Sequence, residues 1–153
     1  MQTRDAVIAA LLVWAVVIAI TDWRVRKVPN LLLLAALLPA GLVVGWRGEG
    51  LLGITPSGSL AGLLYGLLLA LPGYLLSRFG AGDVKLAAVL GFLLGQAAVL
   101  WSLLLAALIL GLMALTTRVW AGAEAASTIR LPAAVALSAG FVVVMLVLRW
   151  GMS

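Results

Sequence analysis

The sequence contains no cysteine and no histidine. Without cysteine the chain can form no disulfide, no thiolate metal site and no thiolate nucleophile, and without histidine it lacks the commonest metal ligand and general base. Charged residues are also scarce, at 10% of the 153 residues, against about 25% in soluble domains. Acidic residues are the scarcest of these, because only five occur. Any chemistry must therefore use carboxylates or basic groups.

Apolar residues, in contrast, dominate the chain. They make up 65% of the sequence, and the mean hydropathy is +1.27, whereas soluble domains have about 45–50% apolar residues. This composition predicts an all-α, polytopic membrane protein with room for about five to seven spans. We expect a single membrane-embedded domain, residues 1–153. The formal charge of +5 lies in short segments between apolar runs, which indicates topology rather than nucleic-acid binding.

The apolar runs predict six transmembrane helices in a single bundle. Their approximate limits are residues 6–21, 31–46, 58–76, 84–94, 97–117 and 133–148. The fourth and fifth are parts of one run, because residues 84–117 as a single helix would extend about 51 Å across a hydrocarbon core of about 30 Å. We therefore expect a break at Gly95 and Gln96. In the third span, Gly62 and Gly66 favour the close approach of another helix.

The basic residues predict how the chain is oriented. With six spans, one side of the membrane carries seven of them, which are Arg24, Arg26, Lys27, Arg78, Lys85, Arg118 and Arg130. The other side carries three, which are Arg4, Arg47 and Arg149. The positive-inside rule then makes the first side cytoplasmic and places both termini outside. Residues 118–131 are expected to form a loop or an amphipathic segment at the cytoplasmic surface.

Two acids are expected at this cytoplasmic face. Asp22 follows the first apolar run, and Asp83 follows Gly80 and Gly82. We expect Asp83 to be the first residue of a helix, where its carboxylate accepts hydrogen bonds from backbone N–H groups that have no partner within the helix. Asp22 is expected at the C-terminal end of a helix, where the helix dipole disfavours a carboxylate. If the two meet, one can stay protonated while the other is ionised, as in aspartic proteases. Alternatively, Asp83 is only a helix cap and Asp22 a loop acid neutralised by a neighbouring arginine.

The residues around both acids resemble the type IV prepilin peptidases, which are intramembrane-type aspartyl proteases with a GxGD motif. The matching stretches are Asp22-x-Arg24-x-Arg26-x-Val28-Pro29-Asn30 and Gly80-Ala81-Gly82-Asp83-Val84-Lys85-Leu86. The resemblance implies that Asp22 and Asp83 are the catalytic dyad, which removes the short basic leader of a prepilin-like or pseudopilin-like substrate at the cytoplasmic face of the bacterial inner membrane. It implies no cofactor and no metal. The motifs also contain the expected supporting residues, Gly80, Gly82, Lys85, Pro29 and Asn30.

Bifunctional members of this family carry an extra N-terminal cytoplasmic region, often with a cysteine-based metal site, associated with methylating the new N-terminus. This chain has no cysteine and begins almost directly at the first catalytic span. It therefore resembles the short, peptidase-only form of tight-adherence or Flp-type pilus systems, and methyltransferase activity is not expected.

Two other functions stay open at this point. A small transporter or an assembly subunit would use the two acids to bind a proton or an ion, and another GxGD protease would differ only in its substrate. Lys85 likewise has two interpretations. Its side chain either extends to the membrane surface, or it holds the loop beside Asp83 or biases the protonation of that acid.

Overall fold

The computed structural model describes residues 2–121 and 131–150, and all regular structure in these two ranges is helical. The helices are α1 (Gln2–Val25), α2 (Asn30–Arg47), α3 (Pro56–Leu75), α4 (Ala81–Ala121) and α5 (Ala133–Trp150). Each is long and apolar enough to cross a membrane. The all-α class and the membrane character are therefore confirmed. The exact number of crossings stays a prediction, because α4 contains both the fourth and the fifth predicted spans.

Helix α4 is interrupted at Gly95, where the sequence predicts a break. Gly95 has φ 75° and ψ 173°, which is non-helical, and this backbone region is essentially restricted to glycine. Helix α4 also continues to Ala121, so residues 118–121 are helical, while residues 122–130 of the expected surface segment lie outside the described residues.

The first two helices are joined by a short connection. Helix α1 ends at Val25, four residues beyond the predicted limit, so Asp22 lies in its last turn. Arg26 has φ 53°, and its N–H donates to the carbonyl of Asp22 at 2.8 Å. This left-handed residue ends the helix by satisfying one of its last carbonyls. Pro29, in an extended conformation, then precedes the first residue of α2, Asn30.

Helices α3 and α4 are in close backbone contact at the predicted small residues. A Cβ added to Gly62 would collide with the carbonyl of Gly91, and one added to Gly66 would collide with the carbonyl of Ala87. Only glycine permits such an approach. Helix α4 also contacts α2 and α5, and α5 contacts α1. The start of α4 is therefore held against α3 by its own backbone.

Aromatic contacts join α1 to α2 and α5. The rings of Trp14 and Phe141 meet edge to face with their centroids 6.2 Å apart, and the Trp14 Nε1–H donates to the carbonyl of Leu32 at 2.7 Å. Phe141 is fully buried, whereas large apolar side chains on other helix faces are exposed, for example Leu112 and Val147. Those exposed faces are the ones that lipid would cover.

Candidate active site

Asp22 and Asp83, although distant in the sequence, line one cavity. Its volume is about 270 Å³, and it lies where α1 ends and α4 and α5 begin. Three segments line it: the end of α1 with its following loop, the turn into α4, and the turn into α5. The lining residues are Asp22, Arg26, Lys27, Val28, Gly80, Ala81, Gly82, Asp83, Leu131, Pro132 and Ala133.

The carboxylate of Asp22 is buried and bonded to the backbone of α5. Its side chain is only 4% exposed, and its Oδ2 accepts a hydrogen bond from the Ala134 N–H at 3.1 Å. Ala134 is the second residue of α5, so its N–H is one of the donors without a partner inside the helix. The sequence places Asp22 at the C-terminal end of α1, where the helix dipole disfavours a carboxylate. The structure shows that this carboxylate also lies at the N-terminal end of α5, where the dipole favours one.

Asp83 is the third residue of α4, so the prediction that it is the first is wrong. The helix begins at Ala81, and the Gly80 N–H donates to Asp83 Oδ2 at 2.7 Å. This is the backward-reaching bond of a capping box, in which a carboxylate in the first turn satisfies the N–H of the residue before the helix. The acid therefore caps the helix from inside its first turn. Asp83 is half-buried, unlike Asp22.

Gly82 contacts the chain itself at the cavity wall. A Cβ added there would lie 3.2 Å from the Cβ of Val28 and 3.4 Å from its carbonyl oxygen. Val28 therefore occupies the space beside Gly82. Gly82 joins the loop after Asp22 to the turn before Asp83.

The other three expected supporting residues lie beside the cavity. The Lys85 Nζ donates to Asn30 Oδ1 at 3.2 Å, and both side chains are exposed. Pro29 immediately precedes Asn30 and fixes the direction in which α2 starts. The bond between Lys85 and Asn30 links α4 to the first residue of α2, next to the contact at Gly82.

Sequence reasoning missed the contribution of α5. Leu131, Pro132 and Ala133 line the cavity, and Ala134 supplies the donor to Asp22. One signal was present, because Pro132 opens the last apolar run on the side of the membrane predicted for both acids, and a helix start supplies N–H donors. The partner of these donors is far away in the sequence, so the pattern alone does not identify it.

Two carboxyl groups that line one small cavity can act together in acid–base chemistry. Each has one oxygen held by a backbone N–H, so their orientations are fixed. The volume of about 270 Å³ exceeds the roughly 30 Å³ occupied by one liquid water. Two nearby carboxyls that share a proton can activate such a water and polarise a carbonyl. Within residues 2–121 and 131–150, no group of three or more acidic side chains is arranged to hold a metal ion.

One known protein family is similar to this chain. The model of the Type IV leader peptidase family matches residues 9–115, which is more than half of the chain. The matched region contains Asp22 and Asp83, whereas α5 lies beyond it. No curated protein and no solved structure matches the chain.

Proposed function

Because the chain belongs to the type IV leader peptidase family, we propose that it is an aspartyl endopeptidase whose catalytic pair is Asp22 and Asp83. Membership makes it a leader peptidase-like protease, and its apolar helices make it a multi-pass membrane protein. The observation that supports the pair is the single cavity lined by both acids.

In the proposed mechanism a water molecule lies between the two carboxyl groups. One carboxylate removes a proton from the water as the water oxygen attacks the scissile carbonyl, and the other, protonated, carboxyl donates its proton to the carbonyl oxygen. The tetrahedral intermediate then collapses: the C–N bond breaks, the leaving nitrogen takes up a proton from the pair, and one hydroxyl of the intermediate returns a proton to the pair as the new carboxyl group forms. The pair ends with one shared proton, as it began. Because two coupled carboxyls titrate as one unit, the base and acid roles belong to the pair.

The proposed substrate is a prepilin-like or pseudopilin-like protein with a short basic leader. The family implies prepilin-type substrates in general. The leader would be cut at the cytoplasmic face of the bacterial inner membrane, with both termini of the peptidase outside. Five basic residues near the cavity end of the helices support this orientation under the positive-inside rule; they are Arg24, Arg26, Lys27, Arg78 and Lys85.

The supporting residues are proposed to keep the two acids in fixed positions relative to each other. The contact between Gly82 and Val28 links the loop after α1 to the first turn of α4, and the bond between Lys85 and Asn30 links the start of α2 to the next turn of α4. Gly80 acts through its N–H on Asp83. These residues would influence catalysis by positioning rather than by contact with the reacting atoms.

Position along the helices favours a peptidase over an ion carrier. Transporter sites lie near the bilayer midplane, in interrupted helices. Here Asp22 lies in the last turn of α1 and Asp83 in the first turn of α4. Acids at helix ends lie close to the membrane surface, where the scissile peptide bond of the proposed substrate would be.

The test is cleavage of a prepilin-like substrate reconstituted in the same vesicles. Wild-type protein, Asp22→Asn and Asp83→Asn are compared, and the substrate mass is measured. We expect loss of the leader with wild type only, while both variants insert into the membrane normally. Substantial cleavage by either variant would contradict the pair. Failure of wild type to cleave any of a panel of prepilin-like substrates would contradict the proposed function.

A further inference from the structure

The hydrogen bond between α5 and Asp22 leads to an inference that rests on the proposed function. We propose that the first turn of α5 is a positioning element of the catalytic centre, in which the Ala134 N–H orients the Asp22 carboxylate and stabilises its charge. The donor and the acceptor are 112 residues apart in the sequence, and both are buried.

The two acids obtain their backbone donors in different ways. Asp83 is bonded by Gly80, at the start of the helix to which it belongs. Asp22 lies instead at the end of α1, where carbonyl groups point outward and the dipole disfavours a carboxylate. Its backbone carbonyl accepts a hydrogen bond from the N–H of Arg26. The Ala134 N–H that donates to its side-chain Oδ2 belongs to another helix.

The sequence at the start of α5 suits this role. Pro132 has no N–H and precedes the helix, and its fixed φ favours a helix start directly after it. Ala133 and Ala134 are 3% and 0% exposed. Because their side chains are a single methyl group, the end of α1 comes within hydrogen-bonding distance of the backbone. This turn lies outside the region matched by the family model, residues 9–115.

The loss of this bond should affect chemistry more than substrate binding. A hydrogen bond to a charged group contributes enough that its removal lowers kcat by roughly tenfold to 100-fold, while KM stays within about threefold. An N–H donor stabilises the ionised form of a carboxyl group, so its removal should change the acidic limb of the rate profile, which the two coupled acids determine together. The other charged groups facing Asp22 in the cavity are Asp83, Arg26 and Lys27, and they are unchanged in this test.

The first variant is Ala134→Pro, compared with Val135→Pro. Proline deletes the backbone N–H, and it is tolerated in the first turn of a helix because these N–H groups have no partner within the helix. Both substitutions introduce the same ring into the same turn, but Ala134→Pro deletes the N–H that donates to Asp22 Oδ2. Cleavage of the prepilin-like substrate is measured against pH, together with the melting temperature of each variant.

A second pair of variants covers the case in which the proline ring does not fit at the fully buried Ala134. Residue 134 is replaced by lactic acid, the α-hydroxy acid equivalent of alanine, which changes the amide to an ester and deletes the N–H without adding atoms. The matched control is the ester at residue 135. We expect the lower kcat and the shifted acidic limb only with the ester at 134.

The outcomes separate this inference from the proposed function. Wild-type cleavage with a selective loss of kcat and a shifted pH profile at residue 134 supports the inference. If the changes at 134 and 135 lower the rate equally and leave the pH profile unchanged, or if neither has an effect, the inference is wrong while the peptidase function stands. If wild type itself does not cleave, the proposed function fails and the inference fails with it.

Discussion

Two cavities of similar size lie towards opposite ends of α1. One, of about 320 Å³, is lined mainly by apolar residues with Arg4 and Gln96, and the other, of about 270 Å³, contains Asp22 and Asp83. At about 1.5 Å per residue, the α1 residue Ile8 of the first cavity is about 21 Å from Asp22. The larger cavity has no carboxyl group among its lining residues. The volume of a cavity therefore does not distinguish the proposed catalytic end of this protein from the other end.

The two cavities also differ in the backbone that surrounds them. The larger cavity surrounds the interruption at Gly95. The smaller one lies at the starts of α4 and α5, where N–H groups of Gly80 and Ala134 bond the two acids. Changes near Gly95 should therefore alter the stability of the fold, whereas changes near the acids should alter the reaction rate.

The largest expected effect is at the acids. Asp22→Asn and Asp83→Asn should each lower kcat/KM by at least about 10³-fold, because each removes half of a proton-sharing pair. The double variant should lose no more than either single variant, since the two groups act as a unit. The matched controls at the other cavity are Arg4→Gln and Gln96→Ala, each expected to stay within about twofold. Cleavage rates are measured from the mass shift of the substrate. If the loss of rate in the double variant equals the product of the two single losses, the two acids do not act as a coupled pair.

Gly95→Ala should lower the free energy of unfolding by about 1–3 kcal/mol, because φ 75° with ψ 173° is strained for any other residue. The added Cβ would also lie 2.9 Å from the Cγ2 of Ile54. The control is Gly111→Ala, where no atom lies within 4 Å, and a gain of about 0.4–1 kcal/mol is expected. Unfolding titrations in detergent measure both. Activity below the transition should be unchanged, and a rate loss without a stability loss would contradict the assignment.

Gly82→Ala should lower kcat about tenfold, because the new Cβ displaces Val28 and shifts the loop after Asp22. Stability should change little, since the site lies at a loop and a helix start. Val28→Gly removes the atom that the new Cβ would contact, so the double variant should regain most of the lost rate. Cleavage rates of the two single variants and the double variant test this. Full activity of Gly82→Ala alone would show that the contact does not position the acids.

The smallest effect is expected at the exposed link between Lys85 and Asn30. Lys85→Met should lower kcat/KM about two- to threefold, because a solvent-exposed hydrogen bond contributes little. Asn30→Ala should have the same effect, and the double variant should lose no more than either one. A loss of more than tenfold with Lys85→Met, but not with Asn30→Ala, would indicate that Lys85 acts directly on Asp83.

Sequence reasoning succeeded where the determining features are local. Apolar run lengths gave the all-α membrane class, and the length of residues 84–117 compared with a bilayer located the break at Gly95, which the structure confirms. The spacing of Gly62 and Gly66 indicated a close helix contact, and the structure identifies α4 as the partner. Each inference needs only neighbouring residues and a known membrane thickness.

The parts that failed depend on which segments meet in space. The pattern of glycines before Asp83 did not show that the acid bonds backward to Gly80, so the helix start was placed two residues late. The neighbour of Gly82 and the donor to Asp22 come from other segments. Hydrogen bonds and contacts of this kind leave no periodic signal, because one small residue and one backbone N–H are compatible with many partners.

The glycine contacts between α3 and α4 also determine which parts of the site can move. At Gly62 and Gly66 the two helix backbones touch, so rotation or sliding of one helix along the other would force carbonyl groups into backbone atoms. Asp83 is therefore anchored to a rigid pair of helices. Asp22 belongs to α1, whose end contacts α5 through the Ala134 N–H and whose following loop contacts Gly82 of α4 through Val28. In the proposed peptidase, we therefore expect entry of a peptide chain between the acids to displace the end of α1 rather than the start of α4.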